Sequence, residues 1–308
     1  MAKIPAMNEK WPGEIGAMSL GKESLTVGGD KNLPFMGLDG ASQRDFPLAG
    51  EVLDDISAYP EASRLLFGEE INHPVKWAQK WKSLGADMIC LRLISTDPEG
   101  LDRPPEEAAA LVKEIYRSTG LPLIVYGSGS PEKDAVVLTA VAEAMSGTRL
   151  ILAQVEEDSY KTVSAAAIAH GHALLAFSNL DINLAKQMNI LLSDFGVDRR
   201  DIVMDPLMAP LGMGLDYSYS VNERIRLAAL NGDRMLQCPI ICDASAAWGV
   251  GDATDENPAL GDLVERGVSW EYVTALSALM SGANIIIVRS PQAAAMLKEH
   301  IAELKGVQ

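Results

Sequence analysis

From residue 48 onward the chain alternates short apolar runs with amphipathic stretches of helical period, and it does so eight times. The apolar runs fall at residues 48–54, 88–94, 121–126, 150–155, 173–177, 202–204, 239–243 and 284–288. Each is short, with little polar alternation, as expected of strands covered on both faces in a parallel sheet. The helical stretches fall near 74–84, 104–119, 131 onward, 159–169, 181–195, 221–230, 270–280 and from 291 to the C-terminal region. Their ends carry matching punctuation. Pro104-Pro-Glu-Glu107 and Ser130-Pro-Glu132 read as helix starts, with proline and acids in the first turn. Gly85, Gly120, Gly196 and Gly282 stand where a helix gives way to a left-handed residue. Eight βα units in succession predict an α/β fold, a (βα)8 TIM barrel. An open doubly wound sheet is the alternative, but no glycine-rich dinucleotide turn follows the first strand. Ahead of the barrel, residues 15–20 and 24–28 alternate around Gly21-Lys-Glu23 and predict an N-terminal β-hairpin. No composition break divides the chain, so a single domain over 1–308 is expected, with 1–34 as an extension bearing the hairpin and 35–308 as the barrel.

Charge narrows the function classes. The 308 residues carry a formal charge of −16, with 42 acids against 26 Lys and Arg. That balance argues against nucleic-acid and anionic-membrane partners, which attract basic patches. No apolar run is long enough to span a bilayer, and Met1-Ala-Lys-Ile-Pro lacks the apolar core of a signal peptide. Three cysteines, few and odd in number, fit a reducing compartment, so a cytoplasmic location is expected.

In a barrel the chemistry sits at the C-terminal ends of the strands. Asp205 is placed there, followed by Pro206, which stops the ladder. Capping a turn is the competing reading for an Asp-Pro pair. The other strand ends carry Asp54, Asp55, Ser95, Thr96, Gly127 to Ser130, Gln154, Glu156, Ser178, Asn179, Asp243, Ser245, Arg289 and Ser290. This ring is rich in hydroxyl and amide groups and suits an uncharged or amide-bearing ligand. The candidate binding residues are Ser128, Gly129, Ser178, Asn179, Asp205, Asp243, Ser245 and Arg289. No lysine lies at a strand end, which argues against Schiff-base chemistry. His170 and His172 precede the fifth strand and so belong to the opposite face. Cys90, Cys238 and Cys242 are too scattered for a cubane cluster, and buried packing is expected of them. No catalytic residue and no metal ligand is assigned. Trp248, in a glycine-flanked loop over 244–257, is expected at the rim, exposed to a partner.

Asp205-Pro-Leu-Met-Ala-Pro210 resembles the Asp-Pro-Leu-x-x-Pro segment of pterin-binding methyltransferase barrels. Longer stretches are closer to another family. Gly85-Ala-Asp-Met-Ile-Cys-Leu-Arg-Leu-Ile-Ser-Thr-Asp-Pro98, Pro122-Leu-Ile-Val-Tyr-Gly127, Asn183-Leu-Ala-Lys-Gln-Met-Asn-Ile190 and Tyr219-Ser-Val-Asn-Glu-Arg-Ile-Arg-Leu-Ala-Ala-Leu230 resemble the small (delta) subunit of the corrinoid iron–sulfur protein of the acetyl-CoA pathway. The resemblance runs over nearly the whole chain. It implies a barrel in a permanent heterodimer with a large (gamma) subunit. That partner would carry the 4Fe–4S cluster and a mobile domain holding a cobalamin, and the barrel top would cap the corrinoid. It further implies transfer of a methyl group from methyltetrahydrofolate, through a methyltetrahydrofolate:corrinoid methyltransferase, to acetyl-CoA synthase/CO dehydrogenase. The alternative is a pterin-dependent methyltransferase binding methyltetrahydrofolate in the barrel. Against it, the Ser-Asn pair expected after the seventh strand reads Ser245-Ala246 here, and alanine cannot hydrogen-bond a pterin.

Overall fold

The structure, a computed structural model, describes residues 10–22, 24–34, 46–57 and 59–304. The first residues, Glu23 of the expected hairpin turn, and residues 35–45 of the connection into the barrel lie outside them. A short antiparallel pair, β1 (Met18–Leu20) and β2 (Leu25–Val27), precedes eight parallel strands. These are β3 (Leu48–Leu53), β4 (Met88–Arg92), β5 (Leu123–Tyr126), β6 (Ile151–Val155), β7 (Ala173–Phe177), β8 (Ile202–Asp205), β9 (Ile241–Asp243) and β10 (Ile285–Val288). Their lateral order is β8-β7-β6-β5-β4-β3-β10-β9, and a parallel bridge from Met204 to Ile240 joins the two ends. The sheet is therefore the expected closed barrel.

Helices alternate with the strands: α1 (Glu61–Arg64), α2 (Pro74–Ser83), α3 (Pro105–Thr119), α4 (Pro131–Ala144), α5 (Tyr160–His170), α6 (Ile182–Phe195), α7 (Leu215–Leu230), α8 (Gly251–Thr254), α9 (Leu263–Ser281) and α10 (Pro291–Leu304). Gly120 and Gly196 close α3 and α6 in the left-handed conformation, as their positions suggest. Two helices begin earlier than sequence periodicity predicts. The α9 start is fixed by Asp262, whose side chain accepts from the Glu265 amide, and α7 starts after Gly214 at φ 104°. The expected long loop after β9 is instead a 3-10 turn, Ala244–Gly249, followed by α8.

Two apolar cores result. Outward-facing strand residues pack against the helices, with Trp77 and Trp81 fully buried among them. The barrel interior holds Ala49, Met88, Cys90, Ile124, Ile151, Ala153, Ala173, Leu175, Val203, Ile241, Ile285 and Ile287, and the same cluster contains Met18, Leu20 and Val27 of the hairpin. The hairpin is thus the floor of the barrel. Its edge is tied down by Gly16 N–H to Gln237 O (2.6 Å) and by Arg149 Nε to Ser19 O (2.5 Å). Burying three side chains of this size contributes roughly 1.5–3 kcal/mol each. The bottom is sealed by apolar contact, which leaves the top as the open end.

Candidate functional site

Strand alternation builds the site. Residues two apart along a strand face the same way. Continuing upward from the apolar interior, each strand places its next inward residue in one layer. Above Ala49 stands Glu51, above Cys90 Arg92, above Ile124 Tyr126, above Val203 Asp205, above Ile241 Asp243, and above Ile287 Arg289. On six of the eight strands, therefore, an ionisable group stands in the uppermost layer of an otherwise apolar barrel; β6 and β7 end instead in Val155 and Phe177.

Glu51 is the centre of one half of this layer and is 1% exposed. Its carboxylate accepts from Arg92 Nε (2.9 Å), Arg289 Nε (2.7 Å), Ser245 Oγ (3.0 Å) and Tyr59 Oη (3.2 Å). Burial alone would raise its pKa, but Arg289 and Arg92 outweigh that and hold it well below the usual carboxylate range. Arg92 also donates to Asp243, whose Oδ1 accepts from Ser245 N–H (3.0 Å) and shares the single Ser245 hydroxyl proton (2.6 Å) with Glu51. The guanidiniums of Arg92 and Arg289 lie 4.5 Å from the ring centroids of Tyr126 and Tyr59. Gly50 makes room for this arrangement. A Cβ there would lie 2.2 Å from Trp81 Cδ2, and the Trp81 indole donates to Glu51 O at 2.8 Å.

A second buried acid supports Arg289 from behind. Glu271 of α9 is fully buried, and its carboxylate accepts from the Arg289 amide, the Ser290 amide (2.9 Å) and the Trp248 indole (2.9 Å). Burial pushes its pKa up to about 8 against these donors. Trp248 is consequently not a rim residue. It is 0% exposed and lies over Gly267, where a Cβ would come within 2.4 Å of its ring. The expectation of an exposed aromatic seat is overturned: α9 begins early enough to place a glycine under the indole and a carboxylate at its nitrogen.

The other half of the mouth is different. Asp205 ends β8 and is 6% exposed, and its Oδ1 accepts from the Leu207 amide at 2.9 Å. Burial pushes its pKa up to about 7; the Leu207 amide opposes this, the Asp243 charge adds to it, and Arg92 offsets part. The β7–β8 ladder continues past the strands through Ser178 N–H to Asp205 O (3.0 Å) and Leu180 N–H to Pro206 O (2.8 Å). Asn179, Leu180 and Leu207 hold positive φ values of 36°, 62° and 71°, a strained conformation outside glycine. Ser178 is fully buried and its hydroxyl makes no hydrogen bond, while Asn179 is exposed.

Of the residues singled out from sequence, Asp243, Ser245 and Arg289 converge on the Glu51 network. Ser128 and Gly129 lie over α4, where their amides are taken by Asp134 at 2.7 and 2.9 Å. That aspartate replaces the side-chain cap expected of Ser130, which makes none. Ser178 and Ser245 are buried below the surface a ligand would meet. Sequence reasoning missed Glu51, Arg92, Tyr126, Tyr59 and Glu271. A signal existed for the first two. A carboxylate and a guanidinium inside neighbouring apolar strands are each too costly to bury alone.

On the lower face, His172 is buried, its Nε2 2.9 Å from Ala142 O and its Nδ1 accepting from the Leu150 amide, so it joins β7 to its surroundings. The three cysteines are all buried. Among the described residues no cluster of three or more His, Cys, Asp or Glu has a metal-binding arrangement, and no helix is long and apolar enough to cross a membrane.

Solved structures show the same barrel. A dihydropteroate synthase from Xanthomonas albilineans with 4-aminobenzoic acid superposes with a TM-score of 0.63 at 16% identity, covering 95% of this chain and 99% of that one. A Yersinia pestis dihydropteroate synthase in a sulfonamide drug complex gives 0.62 at 17% identity, covering 95% and 100%. At that identity the likeness concerns fold alone. Sequence relatives are nearer. The acetyl-CoA decarbonylase/synthase complex subunit delta of Archaeoglobus fulgidus is 36% identical over 99% of this chain and 72% of its own length. That of Methanosarcina mazei is 38% identical over 99% and 74%. The model of the CO dehydrogenase/acetyl-CoA synthase delta subunit family matches residues 14–305, and the chain belongs to that family.

Proposed function

We propose that this chain is the barrel subunit of a corrinoid methyl carrier. In this reading it pairs with a large (gamma) subunit that bears the cobalamin and the 4Fe–4S cluster, and the barrel mouth caps the corrinoid. The observation that carries the reading is the state of the mouth. Glu51, Arg92, Asp243 and Arg289 neutralise one another, so they form a set polar platform with no free nucleophile. The exposed Asn179 amide and the half-buried Leu207 beside it fit a flat apolar macrocycle edged with amide arms. When bound, the cobalt of the corrinoid would accept and release the methyl group. This chain's residues would seat and shield the cofactor. The methyltransferase and acetyl-CoA synthase/CO dehydrogenase would be the partners that reach it in turn.

The second reading, a pterin-dependent methyltransferase, is favoured by one observation. Asp205 is a near-neutral carboxyl at a strand end, able to donate or accept a hydrogen bond. Co-expression with a large subunit separates the two. The carrier reading expects a stable heterodimer with stoichiometric cobalt and its red absorbance, and no saturable methyltetrahydrofolate binding by the isolated chain. Folate binding by the isolated chain, with no heterodimer, overturns it.

A further inference from the structure

The lower face carries a feature that the barrel mouth does not explain. Two adjoining cavities, of about 210 and 350 Å³, meet at Arg200 beneath the hairpin. Four arginines border them, Arg149, Arg199, Arg200 and Arg234, with two aspartates, Asp198 and Asp201. In a chain where acids outnumber bases by 42 to 26, a local excess of guanidinium is unusual. Two of the four are committed. Arg149 pairs with Asp201 at 2.6 Å, and Arg200 holds both oxygens of Asp198 at 2.6–3.1 Å. The other two are not. Among the described residues the Arg199 guanidinium donates to the Arg234 carbonyl (2.9 Å) and to no carboxylate, and the Arg234 guanidinium pairs with none.

Both free guanidiniums sit on anchored backbone. The 3-10 turn bearing Arg199 is capped by Asp198 onto the Arg200 amide (2.9 Å). The turn bearing Arg234 is capped by Asp233 onto the Met235 amide (3.2 Å). Behind Arg199 the buried Cys238 thiol lies 3.6 Å from its carbonyl. The wall opposite is the segment Gly16–Met18, fixed to Gln237 by the Gly16 amide. A guanidinium presents a planar fork that matches an oxyanion in two-point contact. Two such forks, neither hydrogen-bonded to a carboxylate among the described residues, border one cavity of small-molecule size, with Asp198 close enough to Arg199 to offset part of its charge.

We infer that the groove between Arg199 and Arg234, under the hairpin, binds a phosphate-type polyanion borne by a small molecule. The cavity is too small to take a folded partner, and its apolar wall at Ala17 and Pro239 leaves room for the organic part of a phosphate ester. This site lies at the opposite end of the barrel from the mouth and stands or falls independently of the carrier reading.

Calorimetric titration of the full chain with pyrophosphate and with inorganic phosphate, at constant ionic strength, tests it. The expected result is one pyrophosphate site with a dissociation constant below about 1 mM, tighter than that for phosphate. Arg234→Gln alone, and Arg199→Gln with Arg234→Gln, should weaken it, the pair by at least about tenfold. Arg117→Gln, on the exposed face of α3, should leave it unchanged. Arg234 is exposed and its guanidinium makes no hydrogen bond or ion pair with a described residue, so its replacement is expected to leave the fold intact. Absence of saturable binding, or binding that survives the double change, overturns the inference. So does saturable binding of an oligoglutamate peptide with none of pyrophosphate, which would make the groove a protein contact.

Discussion

The two halves of the barrel mouth solve the burial of charge in opposite ways. Between β9, β10, β3 and β4, a carboxylate and two guanidiniums meet at 2.7–2.9 Å and satisfy one another, and each partner is oriented by a second hydrogen bond or an aromatic face. At β7 and β8, Asp205 has a single amide donor and keeps its proton near neutrality, the Ser178 hydroxyl has no partner, and three non-glycine residues sit at positive φ. The first half is a closed network, costly to disturb. The second holds unsatisfied and strained groups of the kind that gather where a ligand is met. The difference makes the β7–β8 side of the mouth the place to test for ligand contact.

The largest effect should come from breaking the closed half. Glu51→Gln removes the carboxylate shared by Arg92 and Arg289 and leaves the buried Arg289 guanidinium with no hydrogen-bonded carboxylate among the described residues. Removing one member of a buried ion network typically costs 3–5 kcal/mol, and about 3 kcal/mol is expected here by urea denaturation. A loss below about 1 kcal/mol would mean that the two halves are not different in kind.

Next comes the open half. The Asp205 pKa is raised from 3.8 to about 7, so the folded state holds a proton that the unfolded state releases. Its contribution to stability is therefore full below about pH 4 and is lost as pH rises from 4 to 7. Asp205→Asn keeps the bond to the Leu207 amide and titrates nothing. Its stability advantage over the parent chain should be small at pH 4 and reach about 4 kcal/mol at pH 8. Glu271, also raised, is common to both proteins and cancels from the difference. A gap independent of pH would remove Asp205 from the unsatisfied side.

Trp248→Phe returns to the closed half at smaller scale. The indole gives one hydrogen bond to Glu271 and fills the space over Gly267. Its loss should cost about 1 kcal/mol, with no change in partner docking, because the ring is fully buried. A docking defect at normal stability would restore the exposed position read from the sequence.

Why Trp248 was misread shows what the sequence can and cannot carry. The barrel was legible because strand and helix periods and cap residues are local, and Gly120 and Gly196 both act where they stand in the chain. The hairpin was legible from its alternation, but not its role as the barrel floor, which depends on contacts with strands far along the chain. Asp205, Asp243 and Arg289 were reachable by looking at strand ends. Glu51 was harder to reach: a carboxylate inside the apolar run of β3 was the one hint, and its partners Arg92 and Arg289 come together with it only in the folded barrel. Gly267 falls outside the helix read from the sequence at 270–280, and only the early start of α9 at Leu263 turns it into a helical glycine that gives the indole space.

The smallest expected effect is also the sharpest probe of the open half. Ser178 presents a hydroxyl with no partner and no exposure, while its amide continues the ladder to Asp205 O. Removing an unpaired buried hydroxyl restores no lost bond and relieves a desolvated group, so Ser178→Ala should shift stability of the isolated chain by less than about 0.5 kcal/mol, neutral or favourable. The same change in a corrinoid-loaded heterodimer separates two states of the mouth. If the cofactor rests on the surface seen here, its retention is unchanged, because Ser178 lies beneath Asn179 and out of reach. If loading relaxes the positive-φ turn at Asn179 and Leu180, the hydroxyl turns outward and meets an amide arm, and the substitution lowers retention by about threefold to tenfold, the worth of one hydrogen bond. Cobalt content after gel filtration of the paired variants reads that difference directly. A drop in the complex without a drop in the free chain would make the strained turn a ligand-dependent element, and equality in both would make it a fixed part of the barrel.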